Sequence, residues 1–491
     1  MSDGWIDRRA FLAQAGAAGL ALVSGTQGEP LVEAAARRSG PPIHGPVIRR
    51  GADGFRQAAH VYNERFDNVL PSLVARPLNA ADVRIAVRWA VAHHVPLRAR
   101  SGGHSYAGYS TLSGGMVLDL RNMRSIHIDT HRRIVTVGAG AQLIDVYAAL
   151  AAHGLTIPAG SCPSVGIAGH ALGGGMGLAG RQFGLTTDNL LSAQIVTADG
   201  RLRTASGKSN QDLYWALRGG GGGNFGVVTS LRFRAHRVPR SVSSFFLSWP
   251  WSRAADALAA WQKWAPHART QLTSIFHLSG GNGVTSVNVT GQYLGPAADL
   301  HRLLAPLTVV GGAAVRVASH SYLDAQLAFA GCSRVSIKAC HTAGTRSGGT
   351  LQRMSFRAKS DYVAKPLPAA ARAILVQQAE ARAHIAGSGA ILFDAYGGAI
   401  NRVAPTATAF VHRNVLFCIQ YLSSGAGTAW LDSVHKRMRP YVTGGAYLNY
   451  TDPDLDNWQT AYYGSNYRRL LKVRRKYDPH HYFNFPQAIG R

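Results

Sequence analysis

Apolar residues recur along this chain with two periods, and the alternation between them outlines the fold. The run VRIAVRWAVAHH (residues 83–94) places apolar residues three and four apart, the spacing of a helix with one buried face. Asn79-Ala80-Ala81-Asp82 precedes it as a capping residue with an acid in the first turn, and Pro96 ends it. PLRAR (96–100), MVLDL (116–120), RIVTVGAG (133–140) and LTIPAG (155–160) read as short strands. QLIDVYAALAAHG (142–154) reads as a helix with Gly154 at its C-terminal cap. SAQIVTADGRLRTA (192–205) has the form of a hairpin turning at Asp199-Gly200.

The pattern changes after residue 240. SVSSFFLSW (241–249), SVNVTGQYLG (286–295) and NVLFCIQYLSS (414–424) are β-rich. AADALAAWQKWA (254–265), AAARAILVQQAEARA (369–383) and AWLDSVHKRMRPYV (429–442) are helical by period. Long strands with intervening helices imply an antiparallel sheet covered by helices, hence an α+β fold. The last stretch, 446–491, is rich in tyrosine and turn residues. No repeat of 20–50 residues is visible, and 491 residues exceed what one core ordinarily supports, so more than one domain is expected.

Composition adjusts this outline only in places. Hydrophobic residues are 46% and charged residues 16%, which suits a globular chain. The formal net charge of +27 contains no run of five basic residues, so it reads as a solvated basic surface that also favours bound anions, not as a nucleic-acid-binding tail. Asp7-Arg8-Arg9-Ala10-Phe11-Leu12 followed by AQAGAAGLALVS has the form of a bacterial twin-arginine export signal. That stretch is too short for a membrane span, and no later segment looks like one. Among the four cysteines there is no CxxC pair, which argues against structural zinc. Cys332 and Cys340 are close enough to bridge if the chain turns back between them, a matter the sequence leaves open.

Of the 55 glycines, many gather in loops at strand ends: Ser101-Gly102-Gly103-His104, Gly160 to Gly166, Gly169-His170 with Gly173-Gly174-Gly175, and Gly219 to Gly223 before Asn224-Phe225-Gly226-Val227. Glycine lets backbone N–H groups approach a ligand closely, so several such loops together suggest a long cofactor lying on exposed amides. A dinucleotide-binding GxGxxG unit fits poorly, because these loops do not follow a first strand with an acid about 20 residues on. A Walker-type phosphate loop and an HExxH zinc motif are absent.

The ensemble resembles the berberine-bridge-enzyme-like branch of the vanillyl-alcohol-oxidase-type FAD proteins. The resemblance lies in Arg100-Ser101-Gly102-Gly103-His104-Ser105-Tyr106, in Gly160-Ser161-Cys162-Pro163-Ser164-Val165-Gly166 leading to Gly169-His170, in Asn224-Phe225-Gly226-Val227, and in the C-terminal segments 447–452, 463–470 and 477–484 with Tyr482 and Asn484. It covers roughly residues 55–490. After the export signal and disordered lead-in over 1–40, it implies an FAD-binding domain of two α+β subdomains over 41–240, a substrate-binding domain over 241–445, and a segment 446–491 returning to the first domain. It further implies FAD bonded through its 8α carbon to His104 and through C6 to Cys162. The tethers would raise the flavin's reduction potential and leave its substrate face open.

The same resemblance places Tyr450 over the flavin as base for a substrate hydroxyl; a free phenol ionises near about 10, so nearby positive charge or hydrogen-bond donors must lower it for that role. Gln420 stands where bridge-forming plant members carry a glutamate base; an amide cannot take a proton, so plain alcohol oxidation is favoured. Tyr396 and Tyr106 are candidates for the cavity wall. Val165 resembles the family's oxygen gatekeeper, and its small side chain favours O2 as acceptor, giving H2O2. The expected activity is that of an exported oxidase acting on a hydroxyl of a sugar, oligosaccharide or glycosylated natural product. Trp249, Trp251, Trp261, Trp264, Trp458, Tyr462 and Tyr463 are available to stack on such rings. A flavin-dependent dehydrogenase or oxidative cyclase of a secondary metabolite, and a basic polymer-binding protein with structural flavin, are the alternatives. The substrate itself and the oligomeric state are not legible.

Overall fold

The computed structural model describes residues 40–491; the twin-arginine motif lies outside them. Buried apolar residues segregate chiefly into two cores. One draws on residues 73–242 and 446–489, joined by Leu294, Tyr322, Ala325 and Ala409, and the other draws on residues between 245 and 438.

The first core is built on two sheets. In a four-stranded sheet, Leu73–Ala75 and Leu97–Arg100 flank Met116–Asp119 in parallel, and Val47–Arg49 adds an antiparallel edge. The helix Ala80–Ala92 makes the parallel crossover between them. Asn79 caps it as its sequence indicates, its side chain accepting from the Asp82 N–H at 3.0 Å. The second sheet has five antiparallel strands in the order Ile126–Asp129, Ile134–Gly138, Val227–Arg234, Leu190–Val196, Leu202–Ser206. The expected strand 155–160 is shorter: only Leu155–Thr156 pairs, with His236–Arg237. Pro158 has no N–H for a ladder, and the chain leaves the sheet there to enter the loop carrying Cys162.

The second core lies under a seven-stranded, wholly antiparallel sheet. Three neighbouring strands in it are Leu272–Gly281, Ser388–Ala395 and Phe417–Ser423, of which the first two are not evident from the sequence pattern. Those two are buried on both faces, so they lack the clean polar alternation that marks a half-exposed strand. Period-two geometry divides their side chains: Phe276, Ile391, Phe393, Ala395, Phe417 and Ile419 meet the helices Ala254–Trp264, Ala369–Ala383 and Thr428–Met438. The opposite face carries Thr273, Ile275, Asp394 and Gln420 toward the first domain. Trp261, fully buried in the second core, donates its indole N–H to Ser274 Oγ at 2.9 Å, tying that core to the cavity-lining segment 273–275.

The helix Tyr467–Tyr477 and the residues after it pack back on the first core through Leu470, Val473, Tyr477, Phe483 and Ile489. Buried Arg474 donates to Phe483 O at 2.5 Å and to Asn224 Oδ1 at 3.3 Å, joining this segment to the glycine loop that ends at Gly226. Cys332 and Cys340 are joined by a disulfide with their Cα atoms 5.8 Å apart. Among the described residues no helix is long and apolar enough to cross a membrane.

Candidate active site

Between the two cores lies a cavity of about 310 Å³. Its floor is made by Ser101–Ser105, Gly160–Cys162, Val165, Gly166, Gly169, His170 and Gly221–Gly223, so the separated glycine loops converge on one space. Close packing of backbone explains part of this glycine content. A Cβ on Gly102 would sit 2.2 Å from the Gly166 N, and Gly103 has φ +73°, where side chains are strained. The loop bearing Cys162 hangs on the start of the helix Leu143–Ala151: the Ile144 and Leu143 N–H groups donate to Pro163 O and Val165 O. These are amides that a helix start leaves without intrahelical partners.

The floor fits a flavin dinucleotide on three observations. Among the described residues, the backbone N–H groups of Gly102, Gly103, His104 and Ser105 have no protein acceptor. A Cβ on Gly169 would meet nothing within 4 Å, so the floor is open there. Both His104 and Cys162 line the cavity, and Cys162 is exposed and outside any disulfide. His104 stacks on Tyr62 with ring centroids 4.0 Å apart, and its Nε2 is 2.9 Å from Ser164 Oγ. Burial pushes its imidazole down to about 3, so it is neutral and has a nitrogen lone pair to use. His170 is likewise held at about 4 by burial and accepts the Gly160 N–H at 3.0 Å.

Over the floor stand Tyr106, Asp394, Gln420 and Tyr450. Tyr450 donates to Asp394 Oδ2 at 3.2 Å, and its ring stacks on Tyr106 at 5.4 Å. Gln420 Nε2 donates to Tyr106 Oη at 2.9 Å, which orients the Tyr106 ring. Tyr447 supports Tyr450 from the side, with centroids 4.9 Å apart. Its hydroxyl accepts from the Gly175 and Met176 N–H groups, locking the third glycine loop to the C-terminal segment.

Several sequence expectations change here. Tyr450 does not face cations. Burial first, and the Asp394 carboxylate second, hold its phenol well above the ordinary range, so it is a protonated donor to Asp394. Tyr396 does not line the cavity; it is fully buried, with its hydroxyl 3.1 Å from that of Tyr362. Arg100 lies beneath the loop and not in it, donating to the carbonyls of Ala58, Ala59 and His60 and paired with Asp119 at 3.0 Å. Val227 points into the sheet and Val228 takes the cavity position, as strand alternation requires. Tyr482 donates to Val95 O at 2.6 Å, and Asn484 is exposed; Phe483, Phe485 and Gln487 line the cavity instead. Of the seven aromatic residues considered for stacking, only Tyr463 reaches the cavity. Trp249, Trp261, Trp458 and Tyr462 are core residues, while Trp251 and Trp264 donate their indole N–H groups to Glu380 and Leu303 O.

Asp394 is the functional candidate that sequence reasoning missed. It lies near the end of the strand Ser388–Ala395, two residues before Tyr396, and the sequence does not show which group it meets. Its burial, 8% exposed, and its phenolic partner 56 residues away exist only in the fold.

Comparison with known proteins agrees with this geometry. Residues 71–206 match an FAD binding domain, and residues 446–490 match the family described as berberine and berberine like. An FAD-linked oxidoreductase of Bacillus subtilis, YgaK, is 34% identical over 461 residues, covering 91% of this chain and 97% of that protein. The xylooligosaccharide oxidase of Thermothelomyces thermophilus is 31% identical, covering 90% and 92%. The structure of BBE-like 1 from Physcomitrella patens superposes with a TM-score of 0.85 at 32% identity, covering 93% and 98%. Two family matches and relatives similar over nearly their whole length agree: this chain belongs to the berberine-bridge-enzyme-like FAD-linked oxidoreductases.

Proposed function

We propose that this protein is an FAD-dependent oxidase of carbohydrate hydroxyl groups, with its flavin bonded to His104 and Cys162. The observation that carries the proposal is the Tyr450–Asp394 pair, which faces the same cavity as His104 and Cys162. Bound FAD supplies a two-electron acceptor for the hydride of a carbinol carbon. The chain's own part is the proton. Tyr450 accepts the substrate's hydroxyl proton as it passes its own proton to Asp394, so no free phenolate is needed at neutral pH. Gln420 holds the Tyr106 ring that packs against Tyr450, and Thr273 offers a hydroxyl on the substrate side.

The relatedness to a xylooligosaccharide oxidase supports a sugar or oligosaccharide substrate, or a glycosylated natural product. The stacked pair of Tyr106 and Tyr450 provides an aromatic surface for such a ring. Val165 on the cavity wall leaves space for O2, in favour of turnover with release of H2O2. Export through the twin-arginine route, which rests on Arg8 and Arg9, would carry the protein already folded and loaded.

Acid precipitation of the purified protein, followed by a visible spectrum of pellet and supernatant, tests the tethers. Yellow colour should stay with the pellet, and colour released to the supernatant sinks the covalent assignment. A panel of neutral mono- and oligosaccharides assayed for peroxide tests the activity. Flavin that no sugar reduces under anaerobic conditions would refute the substrate class.

A further inference from the structure

Behind His104, on the side away from the cavity, two buried hydroxyls form a chain. Thr342 Oγ1 donates to Ser164 Oγ at 2.8 Å, and Ser164 Oγ is 2.9 Å from His104 Nε2. Ser164 and Thr342 are each 2% exposed, and neither lines the cofactor cavity. They are 178 residues apart, Ser164 in the loop of Cys162 and Thr342 in the substrate domain. The chain of hydroxyls leads to a second, small polar cavity of about 50 Å³, lined by Thr342 with Gln142, Arg100 and Arg346. There the buried Gln142 Oε1 has no protein donor. An unpaired buried acceptor in a polar space calls for a water or a transferred proton.

Thr342 is held firmly in this position. The disulfide Cys332–Cys340 closes the turn just before it. His341 Nε2 lies 3.1 Å from Asp145 Oδ1, and Arg346 Nη1 lies 2.7 Å from Asp145 Oδ2. The Thr345 N–H and hydroxyl both donate to Thr342 O. Asp145 belongs to the helix whose first amides hold the Cys162 loop, so one element fixes both ends of the hydroxyl chain.

We propose that Ser164 and Thr342 are positioning residues for covalent flavin attachment: they hold the His104 ring and carry away the proton of its Nε2. This rests on the histidyl-linked flavin proposed above. Attachment replaces a C–H bond of the flavin 8α-methyl group with a bond to Nδ1. The methyl carbon gives up one proton and the imidazole another. Two electrons pass into the flavin and from there to dioxygen, which takes both protons and leaves as H2O2.

The Nδ1 lone pair is available only when the ring proton is on Nε2, where Ser164 Oγ can accept it. Once Nδ1 is bonded to carbon, that proton must leave, because a buried imidazolium is costly. Passage from Nε2 to Ser164, from Ser164 to Thr342 and on to the small cavity leaves each hydroxyl donating back toward His104.

The test uses the holoenzyme in a Cys162→Ala background, where His104 alone can tether flavin. Ser164→Ala, Thr342→Val, Ser164→Thr and Thr342→Ser are compared by in-gel flavin fluorescence and by the mass of the tryptic peptide Ser101–Arg121. Ser164→Ala and Thr342→Val should carry roughly tenfold less linked flavin, the scale of one lost buried hydrogen bond, while still binding dissociable flavin. The two hydroxyl-preserving variants should remain near the parent level. Linkage in Ser164→Ala or Thr342→Val equal to the parent overturns the relay. A parent without flavin on the peptide overturns the covalent reading itself. If Ser164→Ala does not fold, Thr342→Val decides alone, since Thr342 does not touch the cofactor cavity.

Discussion

Replacing Tyr450 by Phe and Asp394 by Asn, singly and together, dissects the proton path of the cavity. The two groups meet at 3.2 Å inside a site where burial holds Tyr450 protonated. Tyr450→Phe removes the group that receives the substrate proton, and positioned acid–base catalysis of this kind is worth about 10²–10⁴ in rate. Asp394→Asn keeps an oxygen acceptor but removes the charge. A hydrogen bond to a charged partner contributes about 1.5–3 kcal/mol, or about 10- to 100-fold. Because the groups act in series, the double variant should be no slower than Tyr450→Phe alone. The assay is anaerobic stopped-flow reduction of the flavin by the best sugar of the panel.

The Asp394→Asn variant also loses the second cause of the raised Tyr450 value, so its residual rate should climb as pH rises toward 10. Two results would refute the reasoning. One is a Tyr450→Phe enzyme that reduces its flavin as fast as the parent. The other is single-variant losses that multiply in the double variant, which would mean two independent roles.

Two further outcomes follow from groups away from the cavity. Asp361 is fully buried, and burial pushes its carboxyl up to about 7 despite Arg439 at 3.0 Å. A folded value raised above 3.8 means its contribution is fully present below about pH 4 and is lost as pH rises toward 7. Asp361→Asn should therefore raise the Tm by a few degrees at pH 8 and by less at pH 4; an equal change at both pH values refutes the shift. Replacing Cys332 and Cys340 together by Ser opens a closure of eight residues' separation, which chain entropy values at about 2–3 kcal/mol. Thermal melts should show the loss, and an unchanged melt would mean that the ion pairs to Asp145 suffice to hold the segment.

What the sequence determined by itself was local or gathered in short motifs. The helix Ala80–Ala92 with its Asn79 cap, the strand Ser241–Trp249 and the hairpin at Asp199-Gly200 follow from period and turn chemistry within a dozen residues. His104, Cys162 and the glycine loops were visible because backbone approach to a long cofactor requires glycine at set points along the chain. Tertiary structure decided which side chains meet. Asp394 beneath Tyr450, Thr342 behind Ser164, and the exclusion of Tyr396, Arg100, Val227, Tyr482 and Asn484 from the cavity all depend on contacts or orientations between distant segments. The physical reason is that periodicity reports which face of an element is buried, but not what it is buried against. For a tyrosine, burial and the neighbour together set where its proton stays: beside a cation Tyr450 would give it up more readily, whereas buried beside Asp394 it keeps it and donates to the carboxylate.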